Sequence, residues 1–128
     1  VLRGHHEENV VLGGRIDHTL GNLSLLNMEA LRSLNVRIYD GLSVVWLVTD
    51  HSDISGMAGD LVSLIPWGAD AHRVRTEGLA YALRGETLRF GPSRGISNSL
   101  TAEHAHISLA GGQLLIVHTP RSALKDEP

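Results

Sequence analysis

A short polar stretch near the start of the chain contains residue types that could bind a phosphate. It reads GGRIDH at positions 13–18 and separates an apolar run from a leucine-rich periodic segment. Glycines at the end of a strand let the backbone approach a ligand closely, and the N-terminus of a following helix offers unpaired N–H groups. Arg15 could add a planar guanidinium, and Asp17 could hold Mg²⁺ or cap the helix. A plain turn with a solvated Arg15 is the competing interpretation.

A second polar cluster, GPSRGISNS at positions 91–99, predicts an exposed loop between strands. Its serine and asparagine side chains supply both donors and acceptors, which suits a heteroaromatic ring with mixed hydrogen-bonding edges. The same residues are ordinary turn formers, so a β-turn without a ligand is the alternative. Tyr81, in TEGLAYAL at 76–83, is either core filling or a ring for stacking.

Other local patterns do not indicate a metal site or a catalytic motif. His104 and His106 share one face of a predicted strand, a spacing compatible with a metal, but no third ligand is near them in the sequence. We therefore expect a solvated histidine face. The chain contains neither a nucleophile elbow nor the lysine motif of a P-loop.

The composition is that of an ordinary folded domain. Of the 128 residues, 42% are hydrophobic, 20% charged and 4% aromatic, so aliphatic side chains must fill the core. The formal charge of -3 argues against an electrostatic grip on nucleic acid or an anionic membrane. The absence of cysteine excludes disulfides and thiolate metal sites. No apolar run approaches the ~20 residues of a membrane span.

Hydrophobic periodicity divides the chain into two parts. A short strand is predicted at 9–12 and a helix from about Thr19 to Ser33, with Asp17 as its N-cap. After Asn35, short β-like runs alternate with turn residues, which indicates an antiparallel sandwich or barrel. These runs cover 36–40, 43–49, 60–66, 72–76, 86–90, 103–109 and 113–118.

The clearest alternation is EHAHISL at 103–109, where Ala105, Ile107 and Leu109 should face the core. A tight turn at 110–112 then leads into the continuously apolar run 113–118. A lone strand and helix before residue 35 cannot cover both of their own faces. We therefore expect this chain to be the later part of a longer protein.

Five of these motifs together resemble the thiamine pyrophosphokinase (thiamine diphosphokinase) family. They are GGRIDHTLGNLSLL, SLIP, TEGLAYAL, SRGISNS and GGQLLIV, at 13–26, 63–66, 76–83, 93–99 and 111–117. They occur in the family's order and approximate spacing and cover most of residues 10–118. One such motif would be weak, whereas five in register are a specific resemblance.

The resemblance implies a mainly β fold, an antiparallel, jelly-roll-like β-sandwich at 35–120 that binds thiamine. Residues 1–34 would be one strand and one helix left from an α/β nucleotide-binding domain, and 121–128 a polar tail. The family transfers the pyrophosphoryl group of ATP to the hydroxyl of thiamine, with Mg²⁺, giving thiamine diphosphate and AMP. It usually works as a homodimer with the active site at the subunit interface. We expect a cytoplasmic protein with neither nucleic acid nor a membrane as partner.

By position, the resemblance also implies a nucleotide site in the first polar stretch. Arg15 and Asp17 would be catalytic, on the phosphate side, and Asp17 would hold the metal. Gly14 and His18 would complete the nucleotide-binding set. Phosphoryl-type transfer depends mainly on positioning and charge neutralisation, which suits an arginine and a metal-holding carboxylate.

The implied thiamine site lies in the sandwich. Ser97 and Asn98 would hydrogen-bond the aminopyrimidine ring, and Tyr81 matches a position where some members carry an aromatic residue. The whole set is Tyr81, Ser93, Gly95, Ser97 and Asn98. Because the thiazolium ring is already cationic, such a pocket needs ring recognition and carboxylates instead of lysines.

The sequence departs from the family by lacking the first half of the nucleotide domain with its acidic magnesium-binding motifs. We therefore expect these residues alone to form a folded or partly folded thiamine-binding portion that does not turn over. A non-catalytic thiamine-binding or assembly module is the alternative, and the sequence upstream of Val1 would distinguish the two. A sugar-binding jelly roll would need exposed aromatic platforms, for which two Trp, two Tyr and one Phe are few.

Overall fold

The computed structural model describes residues 7–9, 21, 36–91 and 97–124. These residues include ten β-strands, one short helix and the single helical residue Gly21. The strands are β1 (Glu7–Asn9), β2 (Arg37–Tyr39), β3 (Val44–Val48), β4 (His51–Ser55), β5 (Leu61–Pro66), β6 (Ala71–Glu77), β7 (Arg84–Leu88), β8 (Asn98–Ser99), β9 (His104–Ser108) and β10 (Leu114–Thr119), and the helix is α1 (Arg121–Leu124). No helix within these ranges is long and apolar enough to cross a membrane.

The strands form two sheets, with the order β1-β2-β3-β10-β5-β8 in the larger and β4-β9-β6-β7 in the smaller. Among these strands every pairing is antiparallel except that of β1 with β2. From β3 to β10 the chain changes sheet at each connection except the β6–β7 hairpin. Eight strands divided in this way form a jelly roll, which β2 and β1 extend beyond β3. The predicted mainly β, jelly-roll-like antiparallel sandwich is confirmed.

The core lies between the sheets because the strands alternate inward apolar and outward polar residues. In β9, Ala105 and Ile107 are buried while His104 is exposed, as the sequence predicts. Burying a side chain such as Ile107 contributes roughly 1.5–3 kcal/mol relative to leaving it in water. The strand residues that share this core are Trp46, Val48, Ile54, Val62, Leu64, Ala71, Val74, Leu88, Ala105, Ile107, Leu114 and Ile116.

Trp46 is the aromatic residue in this otherwise aliphatic set. Its indole Nε1–H donates to Ser52 Oγ at 3.0 Å. The Cζ of Arg37 lies 3.9 Å from the centre of a Trp46 ring. A cation over an indole is attracted by about 0.5–2 kcal/mol, so the contact with Arg37 stabilises the position of the Trp46 side chain.

The opposite face of the larger sheet is also apolar. Leu114, Leu115 and Ile116 are all buried, although successive strand residues point to opposite faces. A strand buried on both faces reads as a continuous apolar run, which accounts for the pattern at 113–118. The second cluster contains Val36, Ile38 and Leu115, packed with Val45, Leu47, Ile65 and Trp67.

Two strands lie outside the predicted runs. β4 has one buried apolar side chain, Ile54, between polar residues, and β8 has two residues. Neither contains a hydrophobic run that could reveal it. Their pairing with β9 and β5 makes them strands, so tertiary context decides here and not local pattern.

The first strand, Glu7–Asn9, pairs in parallel with β2 and includes Asn9 of the predicted run 9–12, whose other residues lie outside the described part of the chain. Parallel neighbours need a crossover connection of a dozen residues or more, and residues 10–36 separate these two strands in the sequence. The predicted helix from Thr19 to Ser33 lies in that connection and, apart from the helical Gly21, outside the described residues. The domain boundary between 1–34 and 35–120 stays a prediction, although β1 and β2 share one sheet.

The predicted polar tail begins with a short helix. Residues Arg121–Leu124 form the single turn of α1, and the N–H of Arg121 donates to the carboxylate of the buried Asp60 at 2.8 Å. Residues 125–128 lie outside the described part of the chain. The hydrogen bond to Asp60 therefore fixes the segment that follows β10.

The turn at 110–112 joins the two sheets, because β9 and β10 pair with other strands and not with each other. Gly112 has a φ of +79° and lies against the backbone of Asp70, where a Cβ would collide with the carbonyl oxygen. Only glycine allows both this conformation and this approach.

Gly112→Ala is expected to destabilise the fold more than Gly41→Ala. Gly41 also has a positive φ, +92°, but nothing lies within 4 Å of its Cβ position. Both changes carry the left-handed penalty of about 1–2 kcal/mol, whereas only Gly112→Ala adds a backbone clash. Urea unfolding of the two variants measures the difference, and equal unfolding midpoints would contradict the close approach at Gly112.

Candidate functional site

The connection between β6 and β7, residues 78–83, holds Tyr81 on the surface; we call it the Tyr81 loop. Leu79 and Leu83 are buried and anchor this loop in the core. Tyr81 lies between them with 74% of its surface exposed. Of the two roles that the sequence allows Tyr81, the structure excludes core filling.

Asn98 holds one side of the Tyr81 loop with its side chain, which is buried. Its Oδ1 accepts from the N–H of Tyr81 at 2.9 Å and from its neighbour Ser99 at 3.0 Å. Its Nδ2 donates to the carbonyl oxygen of Tyr81 at 2.8 Å. The N–H of Ala80 also donates to the carbonyl oxygen of Ser99 at 2.9 Å. These bonds join residues 78–83 and 97–99 into one unit, which we call the Tyr81 corner.

Thr76 holds the other side of the loop. Its Oγ1 accepts from the N–H of Leu83 at 2.9 Å, and its own N–H donates to the carbonyl oxygen of Leu83 at 2.9 Å. Thr76 is buried, and sequence reasoning did not single it out as a functional residue. Strand alternation could have indicated that Thr76 is buried, because it lies two residues after Val74 and therefore on the same face of the strand.

Ser97 lies at the exposed edge of the corner with a φ of +68°. This left-handed conformation is uncommon for a residue other than glycine. The surrounding structure must hold it, and the bonds of the next residue, Asn98, supply that support. Strained backbone of this kind is found preferentially where proteins bind ligands.

The structure brings together three residues of the predicted thiamine site, namely Tyr81, Ser97 and Asn98. The remaining predicted site residues lie outside the described part of the chain, so their roles stay predictions. They are Gly14, Arg15, Asp17, His18, Ser93 and Gly95.

A second buried polar cluster, which the sequence patterns did not reveal, surrounds Asp60. Its Oδ2 lies 2.8 Å from His118 Nε2 and accepts from the N–H of Met57 at 3.0 Å, while Oδ1 accepts from the N–H of Arg121. A cavity of about 190 Å³ lies beside these groups. Its lining residues are Met57, Ala58, Asp60, Pro120, Arg121 and Ser122.

The environment of Asp60 favours its ionised form. Burial by itself raises the pKa of this carboxyl group. The N–H of Arg121, the ring of His118 and the N–H of Met57 outweigh burial and hold the pKa below its ordinary value of 3.8. Asp60 is therefore a buried carboxylate that stabilises the fold through hydrogen bonds.

The predicted histidine face lies on the outside of the smaller sheet. His106 Nδ1 is 2.7 Å from Asp53 Oδ1, and its ring stacks on His51 at 5.8 Å between centroids. The hydrogen bond from His106 lowers the pKa of Asp53. Across 36–91 and 97–124, no group of three or more His, Asp or Glu is placed to hold a metal ion. The predicted metal ligand, Asp17, lies outside the described residues.

The fold defines a jelly-roll domain, and the Tyr81 corner displays an exposed aromatic ring on a hydrogen-bonded loop. The family model described as thiamin pyrophosphokinase, vitamin B1 binding domain, matches residues 50–114, which include the whole corner. The chain belongs to the thiamine pyrophosphokinase family, a family of kinase-type enzymes.

Individual relatives agree with this membership. The chain is 28% identical over 111 residues to thiamine pyrophosphokinase of Bacillus subtilis (strain 168), covering 85% of this chain and 52% of the relative. It is 31% identical over 104 residues to thiamine pyrophosphokinase 1 of Oryza sativa subsp. japonica, covering 76% of this chain and 38% of that relative. The crystal structure of the Bacillus subtilis enzyme matches with a TM-score of 0.76 at 27% identity, covering 86% of this chain and 53% of that one. The chain thus spans about half the length of the bacterial relative.

Asp60→Asn is expected to reduce the acid sensitivity of the fold. Because the folded-state pKa is depressed, ionised Asp60 stabilises the fold above about pH 4, and this contribution is lost as pH falls through the lowered pKa. The free energy of unfolding of Asp60→Asn should therefore be lower at neutral pH and decrease less on acidification. Urea unfolding at a series of pH values measures this, with Asp50→Asn in an exposed turn as the control. A pH dependence identical to that of the unchanged chain would contradict the assignment.

Proposed function

We propose that this chain forms the thiamine-binding part of a thiamine pyrophosphokinase. The observation that supports it best is the Tyr81 corner, an exposed aromatic ring on a loop held from both sides, within the matched residues 50–114. A ring presented in this way needs little reordering to receive a ligand, which favours binding.

The chemistry of thiamine suits this corner. Thiamine combines a flat aminopyrimidine with a cationic thiazolium ring, and the face of an aromatic side chain attracts both flat rings and cations. The exposed hydroxyl group of Ser97 can donate to or accept from the edge of the pyrimidine. Ser93 and Gly95, four and two residues before Ser97 in the chain, would extend the same surface.

The proposed reaction of the whole protein is transfer of the pyrophosphoryl group of ATP to the hydroxyl of thiamine. The hydroxyl oxygen forms a bond to the β-phosphorus while the bond from that phosphorus to the α–β bridging oxygen breaks. The hydroxyl proton is lost to a base, AMP leaves, and thiamine diphosphate results. Transfer of this kind depends mainly on holding the reacting groups in line and neutralising charge.

The nucleotide side of this proposal concerns the first polar stretch. Arg15, with Gly14 and His18, would bind the phosphates of ATP, and Asp17 would hold Mg²⁺, which adds charge neutralisation when bound. In the chain, residues 13–18 follow the carboxyl end of the parallel strand β1, where phosphate-binding loops of α/β sheets usually lie. A homodimer with the active site between subunits would bring the two sides together.

The first prediction from this proposal is that the chain binds thiamine through Tyr81. Tyr81→Ala should weaken binding by about 1–2 kcal/mol, because it removes the ring that stacks on the ligand. Met57→Ala is the control, since Met57 is similarly exposed at 70% but lies outside the corner. Isothermal titration calorimetry measures both. Absence of binding to the unchanged chain, or an equal loss in both variants, would contradict the proposal.

The second prediction separates thiamine binding from catalysis. Mixed with ATP, Mg²⁺ and thiamine, the chain alone should release no AMP, because it spans about half of a relative's length. In the protein extended to the length of its relatives, Arg15→Ala should lower turnover by roughly 100-fold and leave thiamine affinity unchanged. Chromatographic detection of AMP provides the measurement. Turnover by the chain alone would refute this division of roles.

A further inference from the structure

The side chain of Asn98 has little capacity left for a ligand. A carboxamide offers two acceptor positions on its oxygen and two N–H donors. In Asn98 both acceptor positions are taken, by the N–H groups of Tyr81 and Ser99, and the carbonyl oxygen of Tyr81 takes one donor. Because N–H groups must face the oxygen and a carbonyl oxygen must face the NH₂ group, these partners also determine the orientation of the Asn98 amide. The oxygen of Asn98 therefore cannot accept a hydrogen bond from the amino group of an aminopyrimidine.

Thr76 has a matching arrangement on the other side of the same loop. Its hydroxyl and its backbone N–H both bond to the backbone of Leu83, and its side chain is 7% exposed. A side chain so buried is poorly placed to touch a ligand on the surface. Its bonds act on the loop backbone, as those of Asn98 do.

The two sets of bonds hold the loop at and just after the exposed Tyr81. Asn98 bonds to the backbone N–H and carbonyl oxygen of Tyr81. Thr76 bonds to the backbone of Leu83, two positions after Tyr81. The buried Leu79, bridged to Leu100, anchors the loop before Tyr81. The loop is thus held at Leu79, Tyr81 and Leu83, while the side chain of Tyr81 is exposed.

We propose that Asn98 and Thr76 are positioning residues, which set the ring of Tyr81 for thiamine and do not themselves touch it. This inference rests on the proposed function and assigns Asn98 a role different from the predicted direct contact. Without either residue the loop would sample other conformations, and binding would have to restrict them again. Each residue therefore acts on thiamine only through Tyr81.

A double-mutant cycle distinguishes positioning from contact, because residues that act through a third lose their effect when that third residue is removed. Thiamine affinity is measured by calorimetry for Thr76→Val, Asn98→Ala and Tyr81→Ala, and for each of the first two combined with Tyr81→Ala. Thr76→Val and Asn98→Ala should each weaken binding about 5- to 10-fold, the factor expected for about one hydrogen bond. Either change added to Tyr81→Ala should cause no further loss. Additive losses in the double variants would overturn the inference.

Thr76→Ser and hydrogen exchange serve as controls for folding. Thr76→Ser keeps the hydroxyl and should restore the affinity that Thr76→Val loses. In Thr76→Val the amide of Leu83 should exchange faster, as should that of Tyr81 in Asn98→Ala, while the paired amides of β10 keep their protection. If exchange at the loop does not change, the inference is wrong. If the unchanged chain does not bind thiamine, the proposed function fails and the inference with it, whereas binding with additive losses refutes only the inference.

Discussion

The burial of alternating side chains between two sheets is the interaction on which every other feature of this domain depends. Residues such as Ile107 and Leu64 are fully buried, and strand alternation places the polar residues beside them on the outside. Because the chain changes sheet at nearly every connection, its turns must pass close to other backbone. Gly112, which lies against Asp70, shows how that requirement limits the choice of residue.

The candidate site is a consequence of this packing. The Tyr81 loop is a connection between two strands of the smaller sheet, yet Asn98 of the larger sheet holds it. Leu100 links this region to the second polar cluster, since it bridges Leu79 on one side and donates its N–H to the carbonyl oxygen of Asp60 at 2.9 Å on the other. Buried hydrogen bonds of this kind rigidify structure because their loss leaves polar groups unpaired. A surface that must receive a small ring in a defined position benefits from such support.

Much of the fold could be predicted from the sequence wherever the hydrophobic pattern is strong. The alternation around Ile107 gave a strand with the correct faces, and the continuous run around Leu115 gave a correct strand. Prediction failed at β4, where Ile54 alone is apolar, because such a strand exists only by pairing with its neighbours. Local pattern also gave no sign of the hydrogen bond that fixes 121–124, where the composition indicated a polar tail. The anchor there, Asp60, lies about sixty positions earlier, a separation over which local pattern carries no information.

By itself, the sequence determined the mainly β class, the aliphatic core and the family, because these depend on residue types and on motifs read in order. It also indicated Tyr81, Ser97 and Asn98, with Ser93 and Gly95, as ligand-facing candidates. Only the tertiary structure decided that Tyr81 is exposed, and that Asn98 and Thr76 bond to its loop. The physical reason is that a side-chain amide or hydroxyl has the same chemistry whether it meets a ligand or the protein's own backbone. Which partner it finds depends on distances that exist only after the chain has folded.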